Sequence, residues 1–364
     1  SLSNKTILIT GAAGSIGSGL SRLILNFKPK KLLLLDQSES PLFDLMTEIR
    51  SLQLDVDVEE VIGDIRNEGR MRNVFRSFKP EVVFHAAAYK HVPLMETNPT
   101  EAILTNVKGT KNLCDLSNEF QVEKFVMVST DKAVNPTNVM GASKRIMEKF
   151  VHLYSNKIDV SMARFANVAF SDGSLPFSFE QRLLKRQPLV APSDVKRYFV
   201  SKEESGIICV FSALLGENQD VFFPKLTEDC LVPFTLILDG FLKSKNLTPV
   251  FAQSESEARE LIHQLDLTKE WPVFISKSDT TGEKSFEEFY MENEELDVEK
   301  FSDLGVVKKS DLLVDEKELN QFLMEMDSFY NSEVWKKETI VELMRKLLPE
   351  LEYEEKGKFL ENKM

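Results

Sequence analysis

The chain has 364 residues, 42% of them hydrophobic, which is the composition of an ordinary folded protein with a substantial core. Its 58 Asp and Glu against 45 Lys and Arg give a formal charge of -13, which argues against broad contact with nucleic acid or an anionic membrane and leaves room only for a local cationic pocket. Cys114, Cys209 and Cys230 are widely spaced and form no Cys-x-x-Cys pair, so neither a disulfide framework nor a metal cluster is expected, and a reducing, cytoplasmic setting fits best.

The first strand-like run, Thr6 to Thr10, begins almost at once, so no signal peptide is expected before it, and no apolar run approaches the roughly 20 residues needed to span a bilayer. It leads into Gly11-Ala12-Ala13-Gly14-Ser15-Ile16-Gly17 at the start of a helical pattern. That context gives a glycine-rich motif its meaning. Gly11 permits the tight turn, Gly14 lets backbone approach a pyrophosphate, Gly17 allows helix to pack on strand, and the N–H groups of Ala13, Ser15 and Ile16 lie where phosphate oxygens would bind.

The second run, Lys31 to Asp36, ends in a carboxylate about 20 residues beyond the glycines, where it can accept bonds from an adenosine ribose. This favours NAD, with NADP as the alternative, because a 2′-phosphate there would meet a negative charge. A helix cap for the segment near Ser40 is the plainer reading of Asp36. The third run, Val58 to Ile62, is followed by Asp64 and Ile65, candidates for the adenine edge, with a simple turn aspartate as the other reading. Further runs at Val82 to His85, Phe125 to Ser129 and Val160 to Phe165 complete a βα alternation. The fold class is therefore α/β, a Rossmann-like doubly wound parallel sheet.

Past about residue 165 the rhythm loosens. A helix is expected from Lys202 to Leu215, with strands at Asp220 to Phe223, Pro249 to Ala252 and Trp271 to Ile275. We divide the chain into a dinucleotide domain over 1–170, with part of 200–225 returning to it, a smaller C-terminal α/β substrate lobe over 171–315, and a charged helical segment over 316–364.

Two segments carry a resemblance: Ala86 to Glu96, AAAYKHVPLME, and Thr130 to Lys144, TDKAVNPTNVMGASK. Together they resemble the polysaccharide-biosynthesis nucleotide-sugar 4,6-dehydratases of the extended short-chain dehydrogenase/reductase type. Ser278 to Lys284, SDTTGEK, with Glu287 to Tyr290, is similar to the branch associated with legionaminic acid. The resemblance implies a redox-neutral cycle on a nucleotide-linked N-acetylglucosamine, with UDP as the family prior and GDP open. Ala86 and Ala87 would line the cofactor, and Lys90, Glu96, Asn106, Asn167 and Arg197 the substrate; Arg197 suits a diphosphate because its planar fork can bond two oxygens.

In the wider superfamily a Tyr-x-x-x-Lys pair supplies the base for the C4 hydroxyl and a lysine for the nicotinamide ribose. Here Met140 stands at the tyrosine position, and a thioether exchanges no proton, while Lys144 keeps the spacing. The remaining proton work falls to Lys132 as base at C5, Asp131 as acid for the leaving 6-hydroxyl, and Thr130 at the 4-hydroxyl. Methionine-bearing relatives make retention at C5 the expectation. The resemblance also implies a homodimer or higher oligomer, because helices near Pro99 to Phe120 and Met140 to Tyr154 commonly pair across a dimer in this fold class. Two other readings use the same dinucleotide site: a nucleotide-sugar 4-epimerase, which needs no acid at C6, and a non-catalytic sensor, which Met140 alone favours.

Overall fold

The computed structural model describes residues 1–171, 173–277, 288–309, 315–330 and 336–355. The chain divides into two compact units. Ser1–Phe165, Lys202–Lys225 and Glu288–Tyr353 form the first, and Ala166–Ser201, Leu226–Glu287 and Glu354–Met364 the second.

In the first unit strands and helices alternate: β1 (Thr6–Thr10), α1 (Ser15–Leu25), β2 (Lys31–Asp36), α2 (Glu39–Ser51), β3 (Asp57–Ile62), α3 (Glu68–Phe78), β4 (Val82–His85), α4 (Val92–Thr97), α5 (Pro99–Ala102), α6 (Gly109–Glu119), β5 (Lys124–Thr130), α7 (Val139–Leu153) and β6 (Asp159–Phe165). A π-helical turn, Ile103–Lys108, joins α5 to α6. Strands β1 and β4 are buried along their whole length, as apolar runs must be when helices cover both faces of a parallel sheet. The order is β3-β2-β1-β4-β5-β6, continuing through Val221–Pro224, Leu304–Lys309 and Glu295–Asp297. Pairing is parallel as far as Val221–Pro224, and the last two strands run antiparallel. Strand order reverses between β1 and β4, which opens a crevice at their C-terminal ends, the usual ligand position in such sheets.

The second unit holds α8 (Leu175–Leu184), and the chain then re-enters the first as α9 (Lys202–Leu215), where Gly206 lies against Leu20 of α1. The second unit also holds a parallel sheet in the order Thr248–Ala252, Glu270–Ser276, Leu189–Pro192, flanked by α10 (Phe234–Ser244) and α11 (Glu255–Leu261). Phe179, Leu189, Leu238, Leu242, Trp271 and Val273 are its core.

The domain division read from the sequence differs from this in two places. Glu288–Tyr353 belongs to the first unit rather than to the lobe, because Leu304–Lys309 finds its hydrogen-bond partners on Val221–Pro224. The charged C-terminal segment is two helices, α12 (Glu316–Tyr330) and α13 (Lys337–Leu347), each with a buried apolar stripe. Leu319, Phe322, Leu323 and Met326 of α12 and Ile340, Val341, Leu343, Met344 and Leu347 of α13 join one cluster with Val139, Met140, Ile146 and Phe150 of α7. Every residue of α7 from Val139 to Val151 is buried within the single chain. Within the single chain, α12 and α13 therefore pack over part of α7.

Candidate active site

Gly11 follows β1 with φ +67, a conformation that side chains resist. A Cβ there would lie 2.6 Å from the Ala87 nitrogen, and one at Gly17 would lie 2.0 Å from the Gly11 oxygen, so both positions must be bare for the turn to seat against α1 and the loop after β4. Gly14 is exposed, and a Cβ there would meet only the Gly11 oxygen, at 3.3 Å. The first turn of α1, Ser15, Ile16 and Gly17, has neither a side-chain cap nor an acidic residue. That combination fits the pyrophosphate of a dinucleotide, which the helix N-terminus would hold.

Asp36 ends β2 and accepts the N–H of Ala13 at 3.0 Å and of Ser38 at 2.9 Å, fixing the glycine turn to the sheet. Carboxylate oxygens accept more than one bond, so this is compatible with ribose recognition. Asp64 accepts the backbone N–H and the Nε of Arg66, whose guanidinium also reaches Glu101. Burial works against the charge of Asp64, but the bonds from Arg66 outweigh it and hold the carboxyl below its usual range. Ile65 is buried with its Cδ1 where a Cβ at Gly109 would sit, and Asn112 donates to the Ile65 and Arg66 carbonyls. Ala86 and Ala87 are half-buried directly after β4, and the Ala86 N–H donates to the Thr10 carbonyl.

The end of β5 carries the proton-bearing groups. Thr130 donates its hydroxyl to Asp131 Oδ1 at 2.7 Å, and Lys132 Nζ donates to the same oxygen at 3.0 Å. Asp131 is 1% exposed, and its Oδ2 is buried with no hydrogen-bond partner among the described residues. A buried carboxyl with one oxygen tied and the other unsatisfied calls for an explanation, and a reacting group supplies one. Gly141, in the first turn of α7, lies so close that a Cβ would stand 2.3 Å from the Lys132 carbonyl oxygen, and Asn138 caps that turn by accepting the Gly141 N–H at 2.8 Å.

Lys144, one turn along α7, donates to the Val128 carbonyl at 3.1 Å. Burial brings its pKa down to about 8, although Glu148 pulls the other way. His85 bridges Thr10 Oγ1 and Thr110 Oγ1, each at 2.8 Å, and burial together with the charge of Lys144 pushes its pKa down to about 3, so the ring stays neutral. Met140 is packed into the cluster shared with α12 and α13. The position that bears the tyrosine in the wider superfamily serves here as core.

Two of the substrate candidates bind the chain itself. Glu96 accepts the Val139 N–H at 2.8 Å, the Tyr353 hydroxyl at 2.6 Å and pairs with Lys337 at 2.6 Å. Asn106, fully buried in the π turn, accepts the Tyr89 N–H and donates to the Tyr89 carbonyl and Ser143 Oγ. Neither presents an open polar edge to a sugar. Lys90 is exposed and borders a cleft of about 220 Å³ with Tyr89, His91 and Leu94. Asn167 and Arg197 lie in the second unit. Asn167 donates both its backbone N–H and its side-chain amide to the Tyr198 carbonyl, and Arg197 is buried with Nη1 donating to the Lys196 carbonyl. Ser278 to Glu287 lie outside the described residues.

Sequence reasoning missed a buried ionic cluster under β5 and α7. Arg164 of β6, fully buried, binds Glu148 through Nε and NH2 and Glu294 through both terminal nitrogens. Ser129 donates to Glu148 at 2.6 Å, and Arg145 adds a further contact. Burial of Glu148 would favour its neutral form, but Arg164 and Arg145 outweigh it and hold the pKa at about 2. Arg164 between the apolar Ala163 and Phe165 near the end of β6 was the signal, since a buried guanidinium needs carboxylates.

The model for the family described as "Polysaccharide biosynthesis protein" matches residues 7–238. The capsular polysaccharide biosynthesis protein CapD of Staphylococcus aureus is 42% identical over 226 residues, 61% of this chain but only 38% of that one, so the chain spans well under half of this relative. A UDP-N-acetylglucosamine 4,6-dehydratase (inverting) of Campylobacter jejuni is 29% identical over 79% of this chain and 82% of its own length, and a UDP-glucose 4-epimerase of Rickettsia bellii is 31% identical over 67% and 72%. Among solved structures, Pen from Bacillus thuringiensis superposes with TM-score 0.71 at 23% identity, covering 92% of this chain and 99% of Pen. The dTDP-glucose 4,6-dehydratase DesIV of Streptomyces venezuelae, solved with NAD bound, superposes with TM-score 0.61 at 20% identity, covering 78% of this chain and 88% of DesIV. These structures share the Rossmann fold.

Proposed function

This chain belongs to the polysaccharide biosynthesis protein family, and on that premise we propose that it is a nucleotide-sugar 4,6-dehydratase, acting with NAD on a nucleotide-linked N-acetylglucosamine to give the 4-keto-6-deoxy sugar. UDP is the favoured nucleotide and GDP the alternative. The product would serve surface-glycan or nonulosonic acid synthesis, the legionaminic branch resting on the similarity at Ser278 to Lys284. The observation that carries the reading is the Thr130-Asp131-Lys132 cluster, in which a buried carboxyl keeps one oxygen unpartnered beside an amine.

When bound, the nicotinamide ring supplies hydride acceptance from C4 and hydride return at C6. The chain's residues divide the rest. The amides at the start of α1 hold the pyrophosphate, Asp36 the ribose of the adenosine, and Lys144 the ribose of the nicotinamide. Once C4 is a ketone, the C5 proton is acidic, and Lys132 is the amine positioned to take it. Asp131 then delivers a proton to the departing 6-hydroxyl from the oxygen that has no partner among the described residues. The Lys132 ammonium returns its proton to C5 as hydride arrives at C6, and the proton released by the C4 hydroxyl replaces the one Asp131 gave up. Thr130 is the hydroxyl at the end of β5, and with Met140 in the core it stands nearest to the role that tyrosine plays elsewhere in the superfamily. An epimerase needs no acid at C6, so a buried Asp131 bonded to an amine would have no task there.

Incubation with UDP-N-acetylglucosamine and analysis of the product by mass spectrometry tests the reading. Loss of one water is the expected result, and a product of unchanged mass would make the chain an epimerase. Denaturing the purified protein and identifying the released nucleotide tests the cofactor, because NADP alone would overturn the role given to Asp36.

A further inference from the structure

The catalytic helix α7 is completed by residues far from it in sequence, and the ties are polar as well as apolar. Glu96, 1% exposed, takes the N–H of Val139 at 2.8 Å with one oxygen, and with the other it takes both the Tyr353 hydroxyl and the Lys337 ammonium, each at 2.6 Å. The Lys337 ammonium also sits 5.3 Å over the Tyr353 ring. Val139 opens α7, next to Met140 and Gly141, and Gly141 abuts the Lys132 carbonyl. Three further ties run from the same C-terminal stretch to the same region. Glu352 N–H donates to the Pro136 carbonyl at 3.0 Å, Arg145 Nε to Glu350 at 3.2 Å, and Lys108 to Asp327 at 2.7 Å. Beneath them the apolar stripes of α12 and α13 cover α7.

We propose that the C-terminal helical pair is a positioning element of the active site, acting through Lys337 and Tyr353 on Glu96 and through Glu96 on the first turn of α7. Glu96, Lys337 and Tyr353 are then positioning residues, and α12 and α13 help to complete the packing of the helix that carries Lys144. The inference rests on the dehydratase reading for its kinetic arm only. A buried carboxylate bonded to a backbone N–H and an ammonium sets a distance that either partner alone leaves loose. Removing Lys337 leaves a buried charge without its counter-ion, and the carboxylate must then shift toward water or pick up a proton.

The test uses the whole 364-residue chain with Lys337→Met, Tyr353→Phe, Glu96→Gln and the double change Glu96→Gln with Lys337→Met, and with Met324→Gln on the outer face of α12, 72% exposed, as control. Lys337→Met is expected to lower kcat between about 10- and 100-fold with KM little changed, the range for displacing a catalytic group by up to about 1 Å. Amide exchange of the peptide holding Val139 to Lys144 is expected to quicken. The double variant removes both charges and keeps an acceptor for the Val139 N–H, so it is expected to recover most of the turnover. Wild-type kcat in Lys337→Met, or exchange in α7 unaltered by it, overturns the proposal. Should Lys337→Met not fold, Tyr353→Phe, which removes one hydrogen bond and keeps the ring, carries the same two readouts. A wild-type protein that makes no dehydrated product would defeat the dehydratase reading while the exchange arm still decides the coupling.

Discussion

Gly141→Ala sets two physical effects against each other at the active site. Alanine is the better helix former, so the change would by propensity alone stabilise α7 by about 0.5–1 kcal/mol. The added Cβ, however, would stand 2.3 Å from the Lys132 carbonyl oxygen. Carbon and carbonyl oxygen settle at about 3.3 Å or more, so α7 and the turn Asp131–Ala133 would have to separate by roughly 1 Å. The nearer partner is backbone and not a flexible side-chain end, so the strain has no cheap outlet, and overpacking of this kind costs about 1–3 kcal/mol. The net expectation is destabilisation by up to about 2.5 kcal/mol and a fall in kcat of about 100-fold, because Lys132 moves relative to Lys144. Gly240 in α10 is the control, since a Cβ there meets nothing within 4 Å and the propensity gain should appear unopposed. Thermal unfolding and steady-state turnover of the two variants make the comparison. A melting temperature raised in both, with turnover of Gly141→Ala unchanged, would refute the close approach of α7 to Lys132.

Asp131→Asn and Lys132→Met should each slow water loss by about 10² to 10⁴, the usual loss for a positioned acid or base. They should differ in exchange: solvent deuterium enters C5 in Asp131→Asn, where the base remains, and does not in Lys132→Met. Burial holds the Lys144 pKa at about 8, so kcat/KM should decline as pH rises through that value while the ammonium is lost, and Lys144→Met should remove the limb along with most of the rate. His85 is kept neutral down to a pKa of about 3, whereas an unfolded histidine takes up its proton near 6.5. The unfolded chain therefore binds more protons between those values, and stability falls as pH drops from 6.5 toward 3, by up to about 1.4 kcal/mol per unit. The urea midpoints of wild type and His85→Gln at pH 7 and 5 should converge at the lower pH, and parallel midpoints would show that the ring is not the source.

Of the six strands of the dinucleotide sheet, β1, β2, β4 and β5 were legible as apolar runs, which a parallel strand covered on both faces needs, whereas β3 at the edge, carrying Glu59 and Glu60, was legible from its place in the βα alternation. The glycine motif was legible for the same local reason. Glu96 and Asn106 were chosen as substrate residues from their place in a motif, and the structure gives both a different task. Glu96 meets Lys337 and Tyr353, and Asn106 meets Tyr89 and Ser143, and those pairings depend on how the chain returns. The stripe Leu319, Phe322, Leu323 and Met326 was present in the sequence at helical spacing, but a stripe does not name the surface it covers. Only the fold supplies α7 as that surface. The same limit explains the domain boundary, because the pairing of Leu304–Lys309 with Val221–Pro224 is a contact between segments far apart in sequence.

The substitution at position 140 and the C-terminal helical pair bear on each other. A tyrosine that exchanges a proton with a substrate must keep its hydroxyl in a polar site, whereas Met140 is 3% exposed and belongs to the cluster that α12 and α13 complete. A phenol in that cluster would need a hydrogen-bond partner, and its burial without one would cost about 1–3 kcal/mol. Methionine carries no such demand and adapts its shape to the gap. With no exchangeable proton at position 140 itself, the acid and base groups of the proposed elimination gather at the end of β5, where Thr130 and Lys132 both donate to one oxygen of Asp131. Met140→Tyr is therefore expected to lower the melting temperature without raising turnover. A tyrosine variant at wild-type stability and faster than wild type would show that position 140 still faces the substrate, and that the C4 base was lost there without being replaced.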